Sequence, residues 1–437
     1  MLCVPTVISQ GKYPTANLLA LMRLARTSAV YFLSDVVTSI VGFLATLYFA
    51  RTLGSDVLGK YFLVVALVAW LSVPTNGIGA AITKRVSEGT NQGSLLAAGL
   101  LLNILVASLV AVGAFFFNSD LNSYVGAEIA QLFSILFVGQ VLFTSVQAGL
   151  SGQHMVARSG IIKTLDRLIR VAVQIILTFV GYRVTALVVG EAVAVLVSVV
   201  IGLVWFHVDF ETPSLAHFED LLNYAKYSWL GHLKGRTFGW MDTLVLSLFV
   251  GPGLIAVYEI AWRLASVLIL VSNAVQQTLF PEMSKIAAAD EEEELLGLLD
   301  DGLFAAGLFV IPGLFGALVL GEGLLKIYGS EFVQGGFVLI VLILARGIDA
   351  YGTQFENLIN AFDRPDLMFR VNIVFVATNV TLNLLLVLTI GWVGAAIATA
   401  VSSIIMVILG YYYVSKLIER PSVPMAGNTS QLVAGVL

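Results

Sequence analysis

Arg346, Asp349, Thr353, Glu356 and Asn360 recur at steps of three and four residues, the spacing that puts side chains on one face of a helix. Glu259, Arg263, Ser266, Asn273 and Gln277 repeat the pattern. A third set, Ser228, Gly231, His232, Gly235, Gly239 and Asp242, has Lys234 and Arg236 nearby, and Tyr31, Asp35, Thr38, Gly42 and Thr46 make a milder stripe. All four lie inside otherwise apolar runs. Arginine in such surroundings suits an anion, phosphate above all, because its planar fork donates two parallel hydrogen bonds and stays charged when partly dry. Carboxylates there suit a proton or small cation, since a desolvated carboxyl can titrate near neutral pH.

Each pattern has a second physical reading. Glu259 precedes Arg263 by four residues and Asp349 follows Arg346 by three, so either arginine can be half of a helix-locking ion pair. Arg236 has no acidic residue three or four positions away, which leaves it the best placed of the three to meet a substrate. Lys234 can snorkel. Asp35 can hydrogen-bond a neighbouring helix, and His232 can be a packed core residue. Pro74 with Thr75, Asn76 and Gly77, and Pro312 with Gly313, are expected to break their helices, for bending or for ion binding.

The elements that position these residues follow from composition. The chain has 437 residues, 58% hydrophobic and 12% charged, with mean hydropathy +0.94. Soluble domains carry about 25% charged residues, so a soluble globule is excluded. At about 20 apolar residues per crossing, the length allows about 12 transmembrane helices and no large soluble domain. Unbroken apolar runs exclude a β-barrel, whose strands alternate with period two. The expected fold is an all-α polytopic membrane protein of two six-helix lobes. Residues 1–27 form a cytoplasmic or interfacial lead, 28–206 the first lobe, 207–223 a cytoplasmic linker, 224–414 the second lobe and 415–437 a cytoplasmic tail. The fifth span is placed at Val171–Val188, the sixth at Glu191–Trp205 and the ninth at Leu303–Leu320.

Most lysines and arginines, among them Arg158, Lys163, Arg167 and Arg170, then fall in segments on one side, while Arg51, Lys60, Arg183 and Lys326 fall on the other. Positive residues favour the cytoplasm, so both termini are expected there, in a multi-pass protein of the cell membrane. The N-terminus lacks the order of a cleaved signal. Cys3 is the only cysteine, which precludes an internal disulfide or a thiolate metal cage. The acidic run Asp290–Glu294, in a chain of net charge −5, reads as a solvated linker. No Gly-Lys-Ser/Thr phosphate loop is present, so ATP hydrolysis is not expected, and nothing favours nucleic acid.

The halves are related. Leu53–Glu88 overlays Val250–Lys285 without a gap, matching Gly54 with Gly251, Tyr61 with Tyr258, Asn76 with Asn273 and Ser87 with Ser284. Two halves of six spans each are parallel repeats about a pseudo-twofold along the membrane normal, an architecture typical of transporters. Ala66 stands opposite Arg263, Phe62 opposite Glu259 and Ala80 opposite Gln277, so charge is expected on the C-terminal side only. At about 1.5 Å per residue, Arg236, Arg263 and Arg346 all fall near mid-bilayer. The expectation is one aqueous cavity between the lobes, with Arg236, Arg263, Arg346, Asn76, Asn273 and Gln277 binding an anionic substrate. Asp35, Asp242, Glu259, Asp349 and Glu356 are the candidates for ion coupling or for competing with the substrate on release.

Phe238–Ser284, with Asp242, Val250-Gly251, Tyr258, Ala261, Arg263 and Phe280-Pro281-Glu282, resembles the second-half signature of the polysaccharide and oligosaccharide flippases. These belong to the multidrug/oligosaccharidyl-lipid/polysaccharide exporter superfamily. Ala50–Tyr61 (ARTLGSDVLGKY), with Gly54, Gly59 and Tyr61, resembles their first-half stretch. The resemblance implies a V-shaped transporter, not an enzyme, that moves a glycan linked to polyprenyl or dolichyl phosphate by alternating access. It implies no cofactor, with Na+ or H+ gradients as the candidate energy source, and membrane lipids and glycan-assembly enzymes as partners. Arg263 matches a frequently basic family position; Arg236 and Arg346 match no motif. The alternative is a proton- or sodium-coupled multidrug or organic-cation antiporter of the same superfamily, which Asp35, Asp242 and Glu259 would serve.

Overall fold

The computed structural model describes residues 14–267, 279–280, 282–287, 289 and 291–418, with side chains along the first helix from Val36 onward. All regular structure among the described residues is helical. Helix α1 (Pro14–Leu71) runs across a kink at Gly54, whose φ of 81° and ψ of 172° suit glycine and strain other residues. It therefore carries the first crossing and the start of the second. The second resumes in α2 (Val73–Ser87) after Ser72, whose hydroxyl donates to the Val68 carbonyl at 2.6 Å. Pro74 sits in the first turn of α2, where a missing N–H forfeits no helical bond, so the break expected there is present.

The first lobe continues through α3 (Gln92–Phe116), the short α4 (Asn118–Val125), α5 (Ala130–Gly152), α6 (Val156–Phe179) and α7 (Val184–Val204). The second comprises α8 (Leu215–Ser247), α9 (Pro252–Val267), α10 (Glu292–Tyr328), a 3-10 turn at Ser330–Gly335, α11 (Gly336–Ala361), α12 (Pro365–Ile390) and α13 (Val393–Leu417). Eight of the described helices are long and apolar enough to cross a membrane by length and composition. The chain is all-α and multi-pass, in two lobes: α6 packs on α1 and α7 in the first, α13 on α11 and α12 in the second.

Four expected boundaries differ. Where the fifth span was expected at Val171–Val188 the helix is α6, which starts about half a helix earlier, and the chain turns near Gly181 (φ 101°) inside the expected run. Asp166, Arg167 and Arg170 depress hydropathy there. In the bundle, however, Arg170 donates to Asp166 at 2.6 Å and to Glu191 at 2.7 Å, so this arginine is paired inside the protein. Arg167 and Arg170 thus lie inside a helix packed on α1 and α7, not in a loop. Helix α8 starts at Leu215, inside the expected linker, with Ser214 and His217 closing a capping box. Helix α10 begins within the acidic run and passes unbroken through Pro312 to Tyr328, beyond the expected end of the ninth span.

The lobes meet along α1 against α8 and α9, and along α2 against α8. At the end marked by the Gly54 kink and the 3-10 turn they are clasped. Ser55 donates to Glu331 from its backbone N–H at 2.8 Å and from its hydroxyl at 2.7 Å, and Arg51 Nε donates to the Ile327 carbonyl at 2.6 Å. Gly59 abuts Pro252 so closely that a Cβ would lie 1.7 Å from the Pro252 carbonyl oxygen.

Candidate functional site

Between the lobes lies a cavity of about 370 Å3. Helix α1 contributes Ser39, Gly42, Phe43 and Thr46, α6 Arg167, α8 Gly239 and Trp240, α9 Glu259, Trp262, Arg263 and Ser266, and α10 Tyr328. A second cavity of about 210 Å3 adjoins it between α1 and α6, bordered by Tyr61, Phe62, Arg170 and Gln174. Thr46, Arg167, Trp240 and Arg263 line both.

The electrostatics follow from pairing. Arg263 is 38% exposed and its Nε lies 4.0 Å from Glu259, at the limit of an ion pair. Its guanidinium rests over the Phe62 ring at 4.7 Å, an attraction between the cation and the ring quadrupole that ties it to the first lobe. Glu259 is buried and accepts a hydrogen bond from Thr243, so its charge is partly committed within its own lobe. It is also the one carboxylate on the described walls of either cavity. With Arg167 and Arg263 facing it, the space is cationic.

The three expected arginines are not brought to one cavity. Arg346 lies behind the wall: it donates to Ser266 Oγ at 2.8 Å, approaches Asp349 at 3.5 Å, and rests against the rings of Trp262 at 4.3 Å and Phe238 at 4.8 Å. It locks α11 onto α9, and Asp349 is its counter-ion. Glu356 is paired with Lys234, which therefore ties α8 to α11 in place of snorkelling. Arg236 is half-buried on α8 and lines neither cavity. Asn76 is half-buried on α2 away from both, its amide nitrogen without a partner. Asn273 and Gln277 lie outside the described residues, as do the side chains of Asp35 and His232.

Asp242 occupies a different kind of place. It is 4% exposed inside the second lobe. Tyr258 donates to it, as do Asn383 at 2.8 Å and Thr399 at 2.9 Å, and Asn383 donates in turn to Asn379 at 3.2 Å. These described partners are all neutral. In the first lobe Tyr61, the repeat counterpart of Tyr258, donates to Glu191 at 2.7 Å. There Arg170 supplies a fixed cation between Glu191 and Asp166. The two tyrosines thus hold buried carboxylates in both lobes, one neutralised internally and one not.

The first-lobe charges were missed in the sequence, and charge is not confined to the C-terminal side. The signal was present: Lys163, Asp166, Arg167, Arg170 and Gln174 recur at three- and four-residue steps like the other stripes. Asn379 and Asn383 carry the same spacing on α12.

Comparison with known proteins agrees with this arrangement. A family model described as polysaccharide biosynthesis protein matches residues 24–287. A protein of Haloferax volcanii named probable flippase AglR is 32% identical over 423 residues, spanning 94% of this chain and 87% of that relative. The same organism's probable low-salt glycan biosynthesis flippase Agl15 is 28% identical over 95% of this chain and 89% of its own length. Among solved structures, the lipid II flippase MurJ in an inward closed conformation superposes with a TM-score of 0.76 over 89% of this chain and 87% of that one, at 16% identity. The two-lobed fold is therefore shared at the level of architecture, with local sequence similarity confined to the nearer relatives. Together, the match over more than half of the chain and the nearly full-length relatives establish that the chain belongs to the polysaccharide biosynthesis protein family.

Proposed function

We infer that the chain is a flippase, moving a lipid-linked oligosaccharide or polysaccharide precursor across the membrane by alternating access. The observation that carries this is the cationic cavity between the lobes, with Arg263 exposed on its wall. The relatives named as flippases, one of them for glycan biosynthesis, support the same reading. A glycan head group linked through phosphate loses hydration on entering the bilayer, and a partly dry arginine offsets that loss by donating paired hydrogen bonds. The lipid tail stays outside the cavity in the hydrocarbon. Glu259 is placed to reclaim Arg263 when the lobes rock, which lets the site release what it binds. No covalent bond is made or broken.

The carrier is a polyprenyl or dolichyl phosphate, the membrane is the cell membrane with both chain termini in the cytoplasm, and glycan-assembly enzymes supply the substrate. Asp242 is the candidate for coupling to a proton or sodium gradient, because its carboxylate is buried among neutral donors and lacks the built-in cation that Arg170 provides in the other lobe. Replacing it by Asn should leave the folded protein intact but abolish the dependence of transport on an imposed gradient. Retained gradient dependence in reconstituted vesicles would remove Asp242 from that role. An organic-cation antiporter calls for a carboxylate-lined cavity, and Glu259 alone meets that description here.

The deciding experiment is a deletion strain analysed for lipid-linked sugars. The expected result is accumulation on the cytoplasmic face, relieved by the wild-type gene. Unchanged lipid pools with altered drug tolerance would overturn the reading.

A further inference from the structure

Arg170 and Arg346 have carboxylate partners and shared hydrogen bonds. Arg167, on the cavity side of α6, does not. Its Nε is buried without a hydrogen-bond partner, and no described carboxylate forms an ion pair with it. An unpaired guanidinium in a partly dry site is costly, and a second positive charge from Arg263 in the same cavities adds repulsion.

The local sequence makes room for it. Where the Arg167 guanidinium crosses α1 stands Gly42, and a Cβ at that position would lie 2.0 Å from Nη2 and 2.9 Å from Cζ. Any larger residue would displace the guanidinium from its present position against α1. Arg167 belongs to the first lobe and Arg263 to the second, so an anion that touches both bridges the lobes. Glu259 approaches Arg263 only at its Nε, 4.0 Å away, which leaves the rest of that fork open.

We propose that Arg167 is the first lobe's half of the anion site, that the cavity holds a head group bearing two negative charges between Arg167 and Arg263, and that Arg167 sets the preference for the second charge. The proposal rests on the flippase reading above and deepens it. A phosphodiester carries one negative charge, and because Glu259 is held by Thr243 and reaches Arg263 only at 4.0 Å, one guanidinium fork is still left without a close hydrogen-bonded anion. A second charge removes that deficit, whether it sits on the second phosphate of a diphosphate or on a carboxylate of the first sugar. The chemistry is the same, a pair of anionic oxygens within reach of two planar forks.

The test uses the full chain reconstituted in vesicles and three fluorescent probes: a polyprenyl monophosphate carrying a neutral hexose, a polyprenyl diphosphate carrying the same hexose, and a polyprenyl monophosphate carrying a hexuronic acid. The wild type is expected to flip at least one doubly charged probe about tenfold or more faster than the singly charged one, as one charge-assisted hydrogen-bonded pair supplies. Arg167→Gln should bring that ratio close to one. Gly42→Ala, which keeps Arg167 but fills its notch, should lower the same ratio, and Arg167→Lys, which keeps the charge without the fork, should retain part of it. Preference for the diphosphate probe alone assigns the second charge to phosphate; preference for the hexuronic acid alone assigns it to the sugar. Equal wild-type rates on all three probes overturn the proposal and leave the flippase reading standing, as does an Arg167→Gln variant that keeps the wild-type ratio. Should Arg167→Gln move no probe, Gly42→Ala and Arg167→Lys decide, an unchanged ratio in both overturning it. A wild type that moves none of the three brings down the flippase reading and the proposal together.

Discussion

Arg263 and Arg346 occupy similar stripes of similar spacing, yet only one faces open space. Arg346 is held by Ser266, Asp349 and two aromatic rings. Removing it leaves the half-buried Asp349 without its ion-pair partner, so Arg346→Ala should lower stability by about 1–3 kcal/mol, read as a reduced thermal midpoint in detergent. Arg263 is exposed to the cavity and its carboxylate neighbour has Thr243 to lean on. Arg263→Ala should therefore cost less stability than Arg346→Ala, its pair with Glu259 being only at 4.0 Å, while flipping falls about tenfold or more, the worth of one charged hydrogen bond to the head group. Normal flipping in Arg263→Ala would remove the arginine from the site. Spacing alone announced both residues; it could not distinguish them, because a stripe at three and four residues fixes a face of the helix and not what that face meets.

At the scale of elements, α1 carries the most consequence. Its kink at Gly54 lets one helix serve two crossings and presents Arg51 and Ser55 to the second lobe. Gly59 then brings α1 against the start of α9 at backbone distance. Gly59→Ala cannot be relieved by a rotamer change, since the obstacle is the Pro252 carbonyl. It should cost about 1–3 kcal/mol at this joint and favour the state in which the clasped end is open. Labelling checks this: in a Cys3→Ser, Thr46→Cys background, a membrane-impermeant thiol reagent added on the clasped side should react faster when Gly59→Ala is present. An unchanged rate would mean the joint yields elsewhere. Gly54 and Tyr61 were legible in the repeat, and Gly59 in the resemblance of Ala50–Tyr61 to the first-half stretch of the flippases. The placement of α6 was not, because hydropathy counts Asp166 and Arg170 as exposed charges and has no knowledge of Glu191 across the helix pair.

For the whole molecule, alternating access requires the lobes to part where they are now joined. With cysteines at Ser55 and Glu331 in place of the native residues, in a Cys3→Ser background, a short cleavable thiol cross-linker should stop flipping, and cleavage should restore it. Flipping that continues with the cross-link in place would show that transport does not need this end to open. The fit of the duplicated halves to this motion comes from their internal chemistry: each lobe is tied within itself by buried polar networks, Tyr61–Glu191–Arg170–Asp166 in one and Tyr258–Asp242–Asn383–Thr399 in the other. Lobes stiffened in this way can move as bodies.

The sequence alone determined an all-helical, duplicated membrane protein, because apolar run length, helical periodicity and the repeat are properties of consecutive residues, while the flippase type rested on the resemblance of Phe238–Ser284 and Ala50–Tyr61 to that family. Arg263 as a cavity cation and Asp242 as a membrane carboxylate were legible for the same reason. Tertiary structure decided which charges are spent on one another: Arg346 on Asp349, Lys234 on Glu356 and Arg170 on Asp166 and Glu191. It also brought Arg167 to the cavity through the gap at Gly42. Several of these pairings join residues on different helices far apart in sequence, where local spacing carries no information and only packing sets the distance.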